Sequence, residues 1–365
     1  MSLEGRQART MHFIHEPLPQ RVCFEPGQVA AALRREVGEL GAERVMVIST
    51  ARQAELTTEI TAGLPVALEY DDVAMHVPID TADRARTAAE KAGADALICI
   101  GGGSTTGLAK AIALTANLPI IAVPTTYAGS EATAVWGLTE GARKTTGIDL
   151  KVLPKVIIYD AALTTSLPVD MSVASGFNAL AHCVDSMWAP KADPINAAYA
   201  AEGIRMLTEG LPAVVAEPTT LPGRELALAA AYLSAAAFAS AGSGLHHKIC
   251  HVLGGAYNLP HAQTHTVVLP YVLAFNAPTA PAAEHRIVNA FGSDTALGGL
   301  LDLKQSLNAP RALRDYGFQE TDIPTAAEMI LPAVPPNNPR PVTIEDLRAL
   351  LTAAWAGEDP STLSR

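Results

Sequence analysis

At 365 residues, with 49% hydrophobic and 17% charged side chains, the chain is long enough for two packed cores, and its balance excludes a disordered segment. A formal net charge of -11, without a basic stripe, excludes a nucleic-acid surface, so any anionic ligand is held by local donors. The longest apolar stretch, Leu226 to Ala241, is broken by Ser234 and Ser240 and is shorter than the roughly 20 residues a bilayer crossing takes, so it reads as a core helix and no membrane is expected.

In chain order, a helical stretch over about residues 28 to 40 leads into the apolar run VMVI before Ser49, and Ala94 to Ile100 repeats the theme. Both read as parallel strands buried on two faces, and Leu118 to Val123 and Lys155 to Tyr159 supply two more. Between the second and third strands the sequence runs GGGSTTGLAK, from Gly101 to Lys110. A strand that feeds three glycines and then a helix cradles phosphate, because glycine permits close backbone approach and the first helical turn offers unpaired N–H groups at the positive end of the dipole. The spacing Gly101, Gly103, Gly107 is one residue longer than the standard dinucleotide fingerprint, and a Gly-rich turn without a ligand is the alternative. Trp136 to Thr146, with Glu140-Gly141 at its middle, reads as a hairpin.

After Asp160 the texture turns to alanine- and leucine-rich helical spacing, with breaks around Pro190 to Pro194, Pro218 to Gly223 and Pro332 to Pro341. The expected fold is therefore α/β plus all-α: a doubly wound, Rossmann-like parallel sheet over residues 1–163 that binds a dinucleotide, and a helical domain over residues 164–365 that carries a histidine cluster. The cysteines Cys23, Cys99, Cys183 and Cys250 form no CxxC pair and suit reduced, buried thiols of a cytoplasmic protein. Cys250 is next to His251, but adjacent residues on a helix point in different directions, which speaks against a nucleophilic pair.

Asn178 and His182 are four apart, as are His247 and His251, and His261 follows a short loop. Spacing of four puts two side chains on one helix face. One such pair is usually structural; two pairs plus a loop histidine make a metal cage, a proton-transfer site, or both.

These segments resemble the iron-containing alcohol dehydrogenase family over nearly the whole chain. The resemblance rests on GGGSTTGLAK, Pro124 to Glu131, Tyr159 to Pro168, SGFNALAH ending at His182, and HKICHVLGGAYNLPH from His247 to His261. Within that family the chain is most similar to the maleylacetate reductases, through GGGSTTG, GLHHKICHVLGG and the late NNPRPVT and ALLTAAWAG stretches. The resemblance implies a dehydroquinate synthase-like architecture and residue roles. Gly102, Gly103 and Ser104 would hold the pyrophosphate, Thr125 and Thr126 the ribose or nicotinamide side, Lys144 a ribose or phosphate group, and Leu163 with Thr164 the adenosine wall. Metal-dependent relatives bind their ion through an aspartate and three histidines, at positions that correspond to Asn178, His182, His247 and His261, with His251 close by.

Asparagine in place of that aspartate removes the one anionic ligand, so the expected site requires no metal, with His182, His247, His251 and His261 as catalytic residues. The expected reaction is reduction of the conjugated double bond of maleylacetate to 3-oxoadipate by NADH or NADPH; Thr50, where some relatives carry an aspartate that rejects NADP, permits either. Asn178 and Lys248 are candidate ligands of the dicarboxylate substrate, a solvated lysine being the equal alternative for Lys248. Tyr127 is a candidate catalytic phenol or a packing residue; Arg340 is a weaker substrate ligand or a surface arginine; Trp136 and Trp188 receive no role. A homodimer is expected from symmetry statistics alone. The competing readings are a metal-dependent alcohol dehydrogenase on the same fold and a lyase or synthase that retains the dinucleotide.

Overall fold

The computed structural model describes residues 11–141 and 143–364, with the side chains of residues 143 and 144 left out. Its first half alternates β1 (Arg21–Phe24), α1 (Val29–Leu40), β2 (Val45–Ile48), α2 (Ala54–Ile60), β3 (Val66–Tyr70), α3 (Ile79–Ala92), β4 (Ala96–Gly101), α4 (Gly103–Ala116) and β5 (Ile120–Pro124). A hairpin, β6 (Val135–Glu140) and β7 (Arg143–Ile148), projects before β8 (Val156–Tyr159). The other six strands form one parallel sheet in the order β1-β8-β5-β4-β2-β3. β2, β4, β5 and β8 are buried at every position, as unbroken apolar runs covered on both faces require.

The edge strands β1 and β3 extend the four strands expected from the sequence. Val66–Tyr70 alternates exposed and covered residues and Arg21–Phe24 is exposed at both ends, so neither presents a continuous buried run. The strand order reverses between β2 and β4: the chain leaves β2 toward β3 on one side and leaves β4 toward β5 on the other. In sheets of this kind ligands bind outside the carboxyl ends of the strands at such a reversal, which places the expected crevice beside the loops after β2 and β4.

No strand follows Tyr159 among the described residues. Five long helices come first: α5 (Val169–Ser186), α6 (Pro194–Ala216), α7 (Leu221–Ala241), α8 (Leu245–Tyr257) and α9 (His261–Asn276), with further helices up to residue 356. The core of α5, α6 and α7 continues into Tyr127, Ile157 and Tyr159, so helices and sheet share packed interior. No single helix is long and apolar enough to cross a membrane; α7 and α8 pass that test only as a pair, bent by 100°. All four cysteines are free and buried.

Candidate active site

β4 ends at Gly101, whose φ of 151° and close approach to Thr105 Oγ1 exclude a side chain. Gly102 then caps α4 without any side-chain cap, so the N–H groups of Gly103, Ser104 and Thr105 in the first turn lack intrahelical acceptors. A Cβ on Gly102 would lie 3.0 Å from Thr126 Cγ2, which makes this bend a cradle that a side chain would fill. Thr125 hands its backbone N–H to Gly101 O (3.0 Å), and its hydroxyl accepts from Gln53 Nε2 (3.1 Å), tying the loops after β2, β4 and β5 together. Gln53 was not legible in the sequence because its partners lie on other strands.

Leu163 and Thr164 sit in the turn after β8. Thr164 is fully buried, with its hydroxyl donating to Ala161 O (2.8 Å) and its carbonyl accepting from Arg224, so its side chain faces inward. Arg224 is itself fully buried; it also donates to Pro218 O (2.7 Å), Leu167 O (3.2 Å) and the Tyr127 hydroxyl (3.2 Å). The Tyr127 phenol is thereby committed to the helical core, a packing position. Lys144 belongs to β7, and its side chain lies outside the described residues.

Across the crevice, α5, α8 and α9 bring the expected imidazoles together. His182 stacks on His247 at 5.0 Å between ring centres and on Phe238 at 4.9 Å; His247 stands 6.0 Å from His251. His182 and His247 are buried, His251 is half-buried, and His261 is exposed at the start of α9. Two histidines missed by sequence reading complete the group: His265 lies 4.3 Å from His261 and 4.9 Å from His247, and His246 lies 4.9 Å from His265. The spacing of four from His261 to His265 is the same signal used for the other pairs.

Asp185, also missed, organises the floor. Its buried carboxylate accepts from the backbone N–H of Gly244 (2.8 Å) and from His247 Nδ1 (2.7 Å). Asn178 donates its amide Nδ2 to Ala128 O (3.3 Å), so its Oδ1 has no partner, as is also true of His182 Nδ1 and His247 Nε2. Buried polar atoms left in this way mark where a polar ligand docks. Burial holds the His182 imidazole down at about 4, Asp185 opposing and His251 adding to the shift, and burial likewise holds His247 well below its ordinary range. Apart from the Asp185 carboxylate behind His247, the floor therefore presents the neutral imidazoles of His182 and His247 and the neutral amide of Asn178.

At the position used by metal-dependent relatives, the Asp185 carboxylate is engaged with His247 Nδ1 and backbone N–H groups, so a divalent cation there would meet the Asn178 amide and imidazoles without the anionic ligand those relatives supply. Half-buried Lys248 follows His247 on α8, and its charge adds to the depression of the His247 imidazole. Arg340 lies over the Phe275 ring at 4.1 Å and donates to Leu363 O, away from these groups in sequence and partners. Cys250 Sγ contacts His246 Nε2 (3.6 Å), and burial pushes its thiol far up, which removes the nucleophilic reading.

Residues 19–161 match the sequence profile of iron-containing alcohol dehydrogenases, and residues 172–355 match the C-terminal profile of the same family. The chain belongs to the iron-containing alcohol dehydrogenase family. Among relatives in this family, a maleylacetate reductase of Sphingobium indicum is 45% identical over 96% of this chain and 100% of its own. The solved structure of a maleylacetate reductase from a Rhizobium strain superposes with a TM-score of 0.90 at 41% identity, covering 96% of this chain and 99% of that one. An iron-containing alcohol dehydrogenase from Corynebacterium glutamicum superposes with a TM-score of 0.96 at 60% identity, covering 98% and 100%.

Proposed function

We propose that this oxidoreductase reduces the conjugated double bond of maleylacetate to 3-oxoadipate with NADH or NADPH, with no metal in its cleft. The observation that carries the reading is the uncharged polar set of Asn178, His182 and His247, in which His182 keeps an N–H to give while Asp185 is withdrawn onto His247 Nδ1. Reducing a simple carbonyl generates a strongly basic alkoxide and favours a Lewis acid. Reducing an enone leaves the developing charge on an enolate oxygen, which fixed neutral donors stabilise.

When bound, the dinucleotide supplies the hydride that adds to the carbon β to the ketone. The N–H groups of Gly103 and Ser104, under the bend at Gly102, receive its diphosphate; Thr125, Thr126 and Leu163 line its path, with Lys144 assigned to a ribose or phosphate. Thr164 shapes that wall through its backbone, given its inward side chain. Asn178 and Lys248 orient the dicarboxylate. Neutral His182 donates to the enolate oxygen, His247, whose Nδ1–H goes to Asp185 and whose Nε2 is left as an acceptor, orients the rings beside it, and water-accessible His251 or His261 delivers the proton to the α carbon, so one hydride and one proton saturate one double bond. The reading further comprises a division into lobes at residues 163/164, a homodimer and a cytoplasmic location.

The test is nicotinamide absorbance with maleylacetate as substrate, before and after treatment with a chelator. Equimolar consumption of reduced cofactor, unchanged by the chelator, is the expected result. Chelator-sensitive oxidation of simple alcohols without enone reduction would replace the reading with a metal-dependent dehydrogenase, and turnover of the enone without net cofactor consumption would replace it with a lyase.

A further inference from the structure

The helices that present His247 and His261 carry a second set of side chains deeper in the protein. His246 and Cys250 are four residues apart on α8, and His265 follows His261 by one turn on α9. His246 Nε2 lies 2.9 Å from His265 Nδ1 and 3.6 Å from Cys250 Sγ, and ligand atoms of all three lie within 4.8 Å of one another. Among the described residues this is the one group of three or more histidine, cysteine or acidic side chains that converges in this way. All three are sealed from solvent, at 1% exposure or less, and the reductase reading gives none of them a task.

From this convergence we infer a binding site for one zinc-class divalent cation per chain, held by His246 Nε2, Cys250 Sγ and His265 Nδ1. Tetrahedral zinc with bonds of about 2.0–2.1 Å to nitrogen and about 2.3 Å to sulfur sets N···N near ~3.3 Å and N···S near ~3.6 Å. The His246–Cys250 spacing of 3.6 Å already meets this, Cys250 Sγ lies within 4.8 Å of a His265 ligand atom, and the two imidazoles need to part by only a few tenths of an ångström. Binding replaces the N–H···N bond by two lone pairs on the cation and expels one proton, from the thiol; the neutral imidazoles release none. His246 Nδ1 and His265 Nε2 lack partners as the protein stands and carry the ring protons in the loaded site, the ring that donated across the N–H···N bond shifting its proton to its far nitrogen. The thiolate formed on binding and the buried Asp185 carboxylate, which holds the adjacent His247, oppose the two charges of the cation. The donor set, two imidazoles and a thiolate, selects zinc-like ions over magnesium or calcium. A cation here pins α8 to α9, and with them His247, the next residue after His246, and His261, one turn before His265.

The test is metal content and spectrum, with no reliance on activity. Protein produced in cobalt(II)-supplemented medium, so that the site fills during folding, should carry one cobalt per chain and show a thiolate-to-cobalt charge-transfer band. Cys250→Ser should abolish the band and lower retained cobalt at least ~10-fold, whereas His182→Asn, in the cleft, should keep both. Should Cys250→Ser fail to fold, the wild-type chain decides alone: cobalt-loaded protein should melt several degrees above protein produced without metal, and should show that band. Substoichiometric cobalt, a spectrum without thiolate character, or loss of metal in His182→Asn while Cys250→Ser retains it would overturn the site.

Discussion

His247 Nδ1 lies 2.7 Å from Asp185 Oδ2, joining α8 to α5 across 62 residues of sequence. The same carboxylate takes the Gly244 N–H, and a Cβ at Gly244 would collide with Asp185 Oδ1, so the entry to α8 is shaped around this one side chain. Because the carboxylate accepts, the ring donates from Nδ1, and Nε2 is the atom turned to other work. Asp185→Asn should therefore misorient His247 and lower kcat about 10- to 100-fold, with little change in cofactor affinity. Steady-state kinetics with each substrate varied in turn checks this, and an unchanged kcat would remove Asp185 from the positioning of the cleft.

Gly101 and Gly102 adjoin each other but should respond differently to alanine. Gly101 has a φ of 151° and no room for a Cβ, so Gly101→Ala should destabilise the fold by roughly 1–3 kcal/mol. Gly102 has a φ of -92°, which alanine adopts freely, and only the cradle beneath Thr126 is filled. Gly102→Ala should leave the melting temperature close to wild type while weakening NADH binding at least ~10-fold, about 1.4 kcal/mol. Calorimetry of cofactor binding beside thermal melts separates the two effects.

Much of this frame was legible in the sequence, for reasons of burial. β2, β4, β5 and β8 are covered on both faces and so appear as unbroken apolar runs, and Gly141, with φ 57°, punctuates the β6–β7 hairpin. β1 and β3 escaped because each edge strand carries a charged residue, Arg21 or Glu69, and exposed positions in place of a buried apolar run. His182, His247, His251 and His261 were found by helical spacing; the same spacing was present at His261 and His265 and was not applied. Asp185 and Arg224 carry no local signal, since the partners that tie them to the site are distant in sequence: His247 for the first, Tyr127 and Thr164 for the second.

The Tyr127 phenol offers a sharp contrast between chemistry and packing. Its oxygen meets Arg224 Nη1 at 3.2 Å inside the helical core, so Tyr127→Phe removes one neutral-to-charged hydrogen bond and no reacting group. The loss in stability should be about 1.5–3 kcal/mol, with kcat within a few-fold of wild type. Arg224→Met should cost more, because the carbonyls of Thr164, Leu167 and Pro218 all lose their donor. Urea unfolding measures both; a collapse of kcat in Tyr127→Phe at intact stability would return the phenol to the reaction.

Acid should unfold this protein earlier than its carboxylates alone would dictate. In the unfolded chain His182 takes up its proton near the ordinary 6.5, whereas burial keeps the folded ring neutral down to about 4. Between those values the unfolded state binds more protons, so stability is full above about 6.5 and drains away as pH falls toward 4. A shift of that size corresponds to roughly 3 kcal/mol from this ring alone. His246, His247 and His265 are shifted the same way by burial and add to the slope. Unfolding free energies measured by denaturant titration at pH 7, 6 and 5 should decline steeply, and His182→Asn should flatten the decline. A profile as flat as that of a protein without buried histidines would mean that the imidazole floor is solvated and charged, and His182 would then not be a neutral donor to the enolate.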